Sequence, residues 1–281
     1  MSRLNPIAWV VTGFAVLAIV GFFWWSQPRQ DPAIRQWHVN HAALPPLRIA
    51  VLGDFHFKTA NDLTQLSRIK RQLIATNPDL VLFVGDYIDS PPRRKAPTET
   101  TIVSALEALA FPDPAFAVLG NHDHMDDTSR WHQAFADSAV ILLENQIHRI
   151  TIRGESLCIR GLGDAYSGVW HAVPLPTDCE QRTITLTHDP AGLIKQRGEL
   201  ESVSVAGHTH CGQIALPIFG PVVVPTQAPS DMHCGLYQRV HHGLTTGGLG
   251  TSILPFRWGP GTESGWELLL INNPTAENRA Q

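Results

Sequence analysis

Charge is scarce in this sequence. Asp, Glu, Lys and Arg make up 16% of its 281 residues, against about 25% in an ordinary soluble domain. The formal net charge of −4 offers no cation surplus to neutralise phosphates broadly, so a nucleic-acid partner is not expected. Cysteine is also sparse. Cys158, Cys179, Cys211 and Cys234 show no C-x-x-C spacing, and their even number fits either free thiols or two bridges. There is no internal repeat and no low-complexity tract. Disorder is excluded from the other direction, because 43% of residues are hydrophobic and 8 Trp and 11 Phe are present. The one surplus is histidine, at 14 residues. Few charges beside many imidazoles direct the search to metal ligands.

Part of the missing charge is explained at the N-terminus. Residues 7–25 read IAWVVTGFAVLAIVGFFWW, without a charge and with Thr12 as the most polar member. As a helix this run spans about 28 Å, near the hydrocarbon thickness of a bilayer. Phe22, Phe23, Trp24 and Trp25 at its end suit the headgroup level. A cleavable signal peptide wants a shorter apolar region and a small-residue cleavage site, which FFWWSQP lacks. A buried core helix fits less well, because nothing amphipathic interrupts the run. The run therefore reads as a single membrane anchor. Arg3 before it and Arg29 and Arg35 after it give the positive-inside rule no side to choose.

Residues 27–46, with Pro28, Pro32, Pro45 and Pro46 among polar neighbours, read as an extended tether. From Leu47 strands and helices alternate. LRIAVLGD, DLVLFVGD and AFAVLGNHD read as buried strands. Residues 62–76 and 100–109 carry helical periodicity between them. Further strands are expected at residues 147–152, 157–161, 183–187, 203–206, 237–240 and 266–271. The layout is α/β, growing richer in strands toward the end.

Hard and imidazole donors fall just past strand ends in five places. They are Asp54 and His56, Asp86 and Asp89, Asn121 with His122 and Asp123, His188, and His208 with His210. Open α/β sheets bind ligands at the carboxyl ends of their strands, so these segments can converge. One Asp after a strand is usually a turn former or cap, and one His usually a structural residue. Five in this order carry weight that none has alone.

The set DxH, GDxxD, GNHD, a lone His and GHxH resembles the calcineurin-like metallophosphoesterase superfamily, from Arg48 to the last strand. GHTHCGQIALPIFGPVVVP followed by GLGTSILPFRWGP is similar to its membrane-associated bacterial branch of phosphodiesterases and pyrophosphatases. Protein Ser/Thr phosphatases would read GDxxDRG and GNHE, whereas Asp89-Ser90-Pro91 and Asn121-His122-Asp123 stand here. Purple acid phosphatases would place a Tyr where Asp89 stands.

The resemblance implies a four-layer α/β/β/α sandwich behind an N-terminal transmembrane helix. Its boundaries would be an anchor at 1–26, a linker at 27–46, a catalytic domain at 47–272 and a tail at 273–281. It also implies two divalent or trivalent metal ions, Mn, Fe or Zn. Asp54, His56 and His210 would hold one, Asn121, His188 and His208 the other, and Asp86 would bridge them. The expected reaction is phosphodiester or pyrophosphate hydrolysis by a metal-activated water. His122 would stabilise the transition state or protonate the leaving oxygen, with Asp123 orienting it and Asp89 outside the ligand set. The site would lie at a bacterial inner membrane. The substrate would be lipid-linked or of the cell envelope, such as UDP-2,3-diacylglucosamine; a general soluble phosphodiester and a non-catalytic binding module are the alternatives.

Other residues receive plainer expectations. His124 reads as a solvated loop residue, Cys211 as a small packed residue, and Arg93-Arg94-Lys95 as a solvated basic loop. Asp164 fits a site lining or a turn equally. The apolar stretch at residues 214–224 is broken by Pro217, Gly220 and Pro221, which favours a loop at the cleft mouth over a core strand. With Leu254, Pro255, Phe256 and Trp258 it suits acyl chains or a bilayer surface.

Overall fold

The computed structural model describes residues 11–13, 16, 21, 31–89, 95–196, 203–239 and 241–274. The expected anchor at 7–25 lies almost wholly outside the described residues, as do Arg93, Arg94 and most of the expected tail. Among the described residues no helix is long and apolar enough to cross a membrane.

Two six-stranded mixed sheets form the body of the described chain. In the first, β2 (Leu47–Leu52), β3 (Leu80–Phe83), β4 (Ala115–Ala117) and β5 (Ile141–Leu142) run parallel. The last strand, β14 (Gly265–Asn272), lies antiparallel against β2, and β1 (Ala33–Asn40) lies parallel against β14 at the edge. In the second sheet, β7 (Glu155–Gly161), β8 (Thr183–Leu186), β9 (Val203–Ala206) and β13 (His242–Thr245) are parallel. Antiparallel β6 (Gln146–Ile152) and β12 (Gly235–Gln238) flank them. A small hairpin, β10 (Ala215–Leu216) and β11 (Gly220–Pro221), stands apart.

Side-chain alternation builds the layers. Ile49, Val51, Leu80 and Leu82 point from the first sheet onto Ile159, Ile184, Val203 and Val205 of the second. Their neighbours Ala50, Leu52, Val81 and Phe83 point the other way. There they meet α1 (Leu66–Thr76), α2 (Glu99–Ala110) and α3 (Ser129–Ala136) through Ile69, Leu73, Ile102, Leu106 and Phe135. Because strand side chains alternate faces, both faces of β2 beyond Arg48 and of β3 must be apolar, which is why IAVL and LVLF read as unbroken hydrophobic runs. Among the described residues the outer face of the second sheet carries only α4 (Ala191–Lys195) and loops, through Leu193, Met232 and Tyr237. The order of layers is the expected one, with a thin fourth layer.

One expectation is corrected. The stretch read as a tether contains β1, whose interior AIRQWHVN has no proline. Its prolines merely bracket the strand. Polar residues are tolerated because the strand is an edge, half of it facing water. Glu267 of β14, 1% exposed, holds it in register. Its carboxylate accepts from Arg35 Nε at 2.8 Å, Trp37 Nε1 at 2.7 Å and Thr246 Oγ1 at 3.2 Å.

Glu267→Ala should therefore leave three donors unpaired and destabilise the protein by about 2–3 kcal/mol. Thermal unfolding of the full chain should show a midpoint roughly 4–10 °C lower. An unchanged midpoint would show that β1 is held by its ladder alone.

Candidate metal centre

β2 to β5 of the first sheet and β7, β8, β9 and β13 of the second end on one side of the molecule, and the loops just beyond those ends build the site. β2 delivers Asp54 and His56, β3 delivers Asp86 and Asp89, and β4 delivers Asn121 and His122. From the facing sheet, β8 delivers His188, and β9 delivers His208 and His210. The backbone must turn sharply to aim these side chains. Asp54, His56, Asp86, His208 and His210 all adopt positive φ between 48° and 68°, a conformation that costs non-glycine residues and clusters at functional sites. Gly85 is needed beside them. Its φ is +89°, and a Cβ there would sit 2.6 Å from the Gly120 nitrogen and 2.9 Å from His188 Nδ1. Gly120 is needed too, since a Cβ on it would land on Asp86 Oδ1.

The donors fall into two groups. Asp54, His56 and His210 place one potential ligand atom each within 4.8 Å of one another, and so do Asp86, His188 and His208. Asn121 joins the second group, its Oδ1 lying 3.2 Å from His188 Nε2. Asp86 stands between them. Its Oδ2 is 3.5 Å from His56 Nε2 and 3.3 Å from His188 Nε2, while its Oδ1 accepts from the His122 backbone N–H at 2.8 Å.

Outer hydrogen bonds decide which ring nitrogen faces inward. His188 Nδ1 donates to the Val84 carbonyl at 2.7 Å, leaving Nε2 for the site. His208 donates Nε2 to the Pro225 carbonyl at 2.6 Å, which turns Nδ1 inward. Such carbonyl partners set the tautomer of metal-binding histidines. The donor set also fits a cation on its own terms. Asp54 Oδ2 is buried without a hydrogen-bond partner, and the Nε2 atoms of His56 and His210 face each other at 3.0 Å. A buried carboxylate oxygen without a donor is costly unless something positive lies beside it.

Burial and neighbouring charges then set the protonation states. Burial pushes the Asp54 carboxyl up to about 7, with Asp86 adding to the rise. Burial acts likewise on Asp86, but the His188, His56 and His122 imidazoles outweigh it and hold Asp86 well below the usual carboxylate range. Desolvation takes His56 down to about 3, so it is neutral at physiological pH. His188 goes the other way, because Asp86, Asp54 and Asp164 overcome its burial and raise it.

Asp123 was expected to orient His122, but its carboxylate is otherwise engaged. It accepts from the backbone N–H groups of Asp86 at 2.8 Å, Tyr87 at 3.0 Å, Ile88 at 3.3 Å and Gly120 at 2.9 Å. It ties the Asp86 turn to the Asn121 turn. The carboxylate grouped with the His122 ring is Asp89: His56, Asp89 and His122 place potential ligand atoms within 4.8 Å of one another. His122 is half-buried, its ring edge-on to His56 at 4.5 Å between centroids.

Three further expectations change. His124 is tied down, bonding to the Gly120 carbonyl and to Glu144, each at 2.7 Å. Cys211 is bridged to Cys234, and Cys158 to Cys179. The first bridge adjoins His210 and fastens the ligand turn to the loop before β12. Asp164 proves to be both turn former and neighbour of the site. It accepts from the Ser167 N–H at 2.7 Å while its charge acts on His188.

Arg257 was missed altogether. Its buried guanidinium donates to the carbonyls of Gly250, Thr262 and His210 and points at His210 Nδ1 from 3.0 Å. Burial brings its pKa down to about 10, still fully charged at neutral pH. The only sequence signal was a lone cation in the otherwise uncharged run GLGTSILPFRWGP.

Metal affinity should fall as pH drops through 7. Below that value Asp54 holds a proton in the metal-free protein, and an entering cation must displace it; above it the carboxylate is free. Competition titrations with Mn²⁺ or Zn²⁺ between pH 8 and 6 should lose up to about tenfold per unit at the acid end, with proton release on binding. Affinity independent of pH would rule out Asp54 as a ligand.

Residues 47–212 match the family model described as calcineurin-like phosphoesterase. Similar curated proteins include the transmembrane protein with metallophosphoesterase domain of Bos taurus, 28% identical over 79% of this chain and 52% of that protein. Phosphodiesterase YaeI of Escherichia coli (strain K12) is 27% identical over 65% of this chain and 67% of its own length. UDP-2,3-diacylglucosamine pyrophosphatase LpxG of Chlamydia trachomatis is 24% identical over 72% of this chain and 77% of its own. This chain thus spans about half the length of the bovine protein.

Proposed function

The chain belongs to the calcineurin-like phosphoesterases, and we propose that it hydrolyses phosphodiester or pyrophosphate bonds at a centre of two metal ions. The observation that carries this reading is the position of Asp86 Oδ2, 3.5 Å from the imidazole of one donor group and 3.3 Å from that of the other. Asp54, His56 and His210 would hold one ion, Asn121, His188 and His208 the other, with Asp86 shared. When bound, such a pair supplies Lewis acidity and a water acidified toward neutrality.

The chain's own groups do the rest. A phosphodiester is already anionic, and attack by water adds negative charge as the bond to the leaving oxygen breaks. His122, on the turn beside both donor groups, gives a proton to that oxygen. Asp89, whose carboxylate lies within 4.8 Å of a ring nitrogen of His122, orients that ring. Asp123 keeps the two turns at their distance through four backbone donors. A binding module without turnover would have no use for His122 and Asp89 beside a complete donor set.

The finer assignment is a substrate that is lipid-linked or part of the cell envelope, met by a domain anchored through residues 7–25 on the oxidising side of a membrane. Two disulfides favour that side. They speak against a nucleotide-linked precursor such as UDP-2,3-diacylglucosamine, which is made in the reducing cytoplasm, although a relative is named for cleaving it.

Two measurements test these statements. His122→Ala should lower kcat on an aryl phosphodiester by about 10²–10⁴-fold with metal content retained. Asp89→Asn should lower it by roughly 10–100-fold, and Asp86→Ala should abolish both turnover and full metal loading. Activity retained in Asp86→Ala would overturn the bridging role. Thiol trapping of the protein in intact membranes should find all four cysteines unreactive until a reductant is added; four free thiols would move the domain to the reducing side.

A further inference from the structure

The hairpin of β10 and β11 leaves the metal centre and ends in water. It begins five residues after His210, and its Ile218 and Phe219 are 102% and 84% exposed. Val222 and Val223 come next at 56% and 68%. Beside it stands a second apolar tip, with Ile253 at 96% and Leu254 at 41%. The two loops are fastened together: Gln213 donates to the carbonyls of Leu254 and Phe256 at 3.0 and 3.1 Å, and Ala215 N–H reaches the Trp258 carbonyl at 2.8 Å. No charged residue occurs from 211 to 230 or from 243 to 256.

The conformation of the tips is as informative as their exposure. Ile218 and Ile253 both have positive φ, 72° and 55°. A β-branched side chain is strained there, and glycine or asparagine would serve a plain turn better. Each tip thus keeps a bulky apolar residue in water on a backbone that disfavours it. Among the described residues nothing covers either side chain.

Where the chain enters the domain says what covers them. β1 pairs parallel with β14 from Ala33 against Gly265, and the Gly265 N–H bonds to the Gly248 carbonyl at 3.1 Å. Gly248 abuts Asp54. The N-terminal end of β1 therefore lies at the metal-centre end of the sheets, the same end as both apolar tips. Only residues 26–32 separate it from the apolar run at 7–25, and seven residues reach at most about 25 Å.

We propose that the hairpin tip at Ile218 and Phe219 and the tip at Ile253 dock into the surface of the lipid bilayer that holds the N-terminal run. The mouth of the metal centre then faces lipid, and an amphiphilic phosphoester reaches it sideways from the membrane without leaving for water. Tips of this kind sink about 5–10 Å, to the boundary of headgroups and acyl chains. The proposal rests on the anchored, lipid-linked reading given above, and the experiment separates the two.

With all four cysteines bridged, Ile218→Cys supplies one free thiol for an environment-sensitive NBD fluorophore; Phe219→Cys is the second such variant. Each full-length protein is reconstituted into vesicles of phosphatidylcholine and phosphatidylglycerol, and hydrolysis of an aryl phosphodiester confirms folding. The expected result is a blue-shifted emission that loses at least roughly half its intensity when spin-labelled phosphatidylcholine is included. A protein that floats with the vesicles while its fluorophore reports water would overturn the docking and leave the anchor standing. A blue shift without lipid quenching would mean that a second copy covers the tip, and would overturn it also. Failure to float would remove the anchor and the docking together, while hydrolysis would still report on the metal centre.

Discussion

Everything at the mouth of the two sheets depends on one carboxylate. Asp86 leaves β3 on a positive-φ turn and divides its oxygens between two tasks. One oxygen fixes the backbone of the His122 turn; the other faces an imidazole from each donor group. The His56 imidazole comes after β2 of the first sheet, and that of His188 after β8 of the second. Asp86 thus meets a histidine from each layer, and the distance between the layers sets the geometry of the chemistry. The apolar packing of Leu82 and Val84 against Ile184 and Val205 keeps that distance.

The surrounding turns are held by means that differ in kind. The Asp86 and Asn121 turns are bound by the Asp123 carboxylate through neutral backbone donors. The His210 turn is held by a covalent bridge at Cys211 and by the Arg257 cation on its carbonyl. The positive-φ residues would each relax if released. Their sum is tolerated because they are fastened from several sides, and that rigidity is what a site preorganised for developing charge requires.

The parts of the fold that were legible in the sequence share a physical cause. β2, β3, β4, β8 and β9 are buried on both faces, so they appear as short runs in which Arg48 is the one charged residue, and a donor stands just past each. Alternation at an edge strand is weaker. β1 shows only Ile34, Trp37 and Val39 toward the core, between prolines, and looks like a linker. Asp123 was assigned to His122 because it is adjacent in sequence. The turn carries its carboxylate back toward the Asp86 loop, and adjacency along the chain does not report that direction. Disulfide partners 21 and 23 residues apart and a buried Arg257 held by carbonyls are properties of tertiary contact, with no periodic signature to betray them.

The order of strands in the first sheet also has a consequence for the making of the molecule. β14 is inserted between β1 and β2, so the first strand of the domain can pair only with the last. Arg35 and Glu267 lie 232 residues apart. At ribosomal rates of about 5–20 residues per second the wait is on the order of ten seconds or more. For that interval β2 is an uncovered edge and β1 an unpaired ribbon, while the loops that carry Asp54, Asp86 and His188 have already been synthesised. The newborn domain must therefore pass through a stage in which its chemistry is nearly assembled and its sheet is still open.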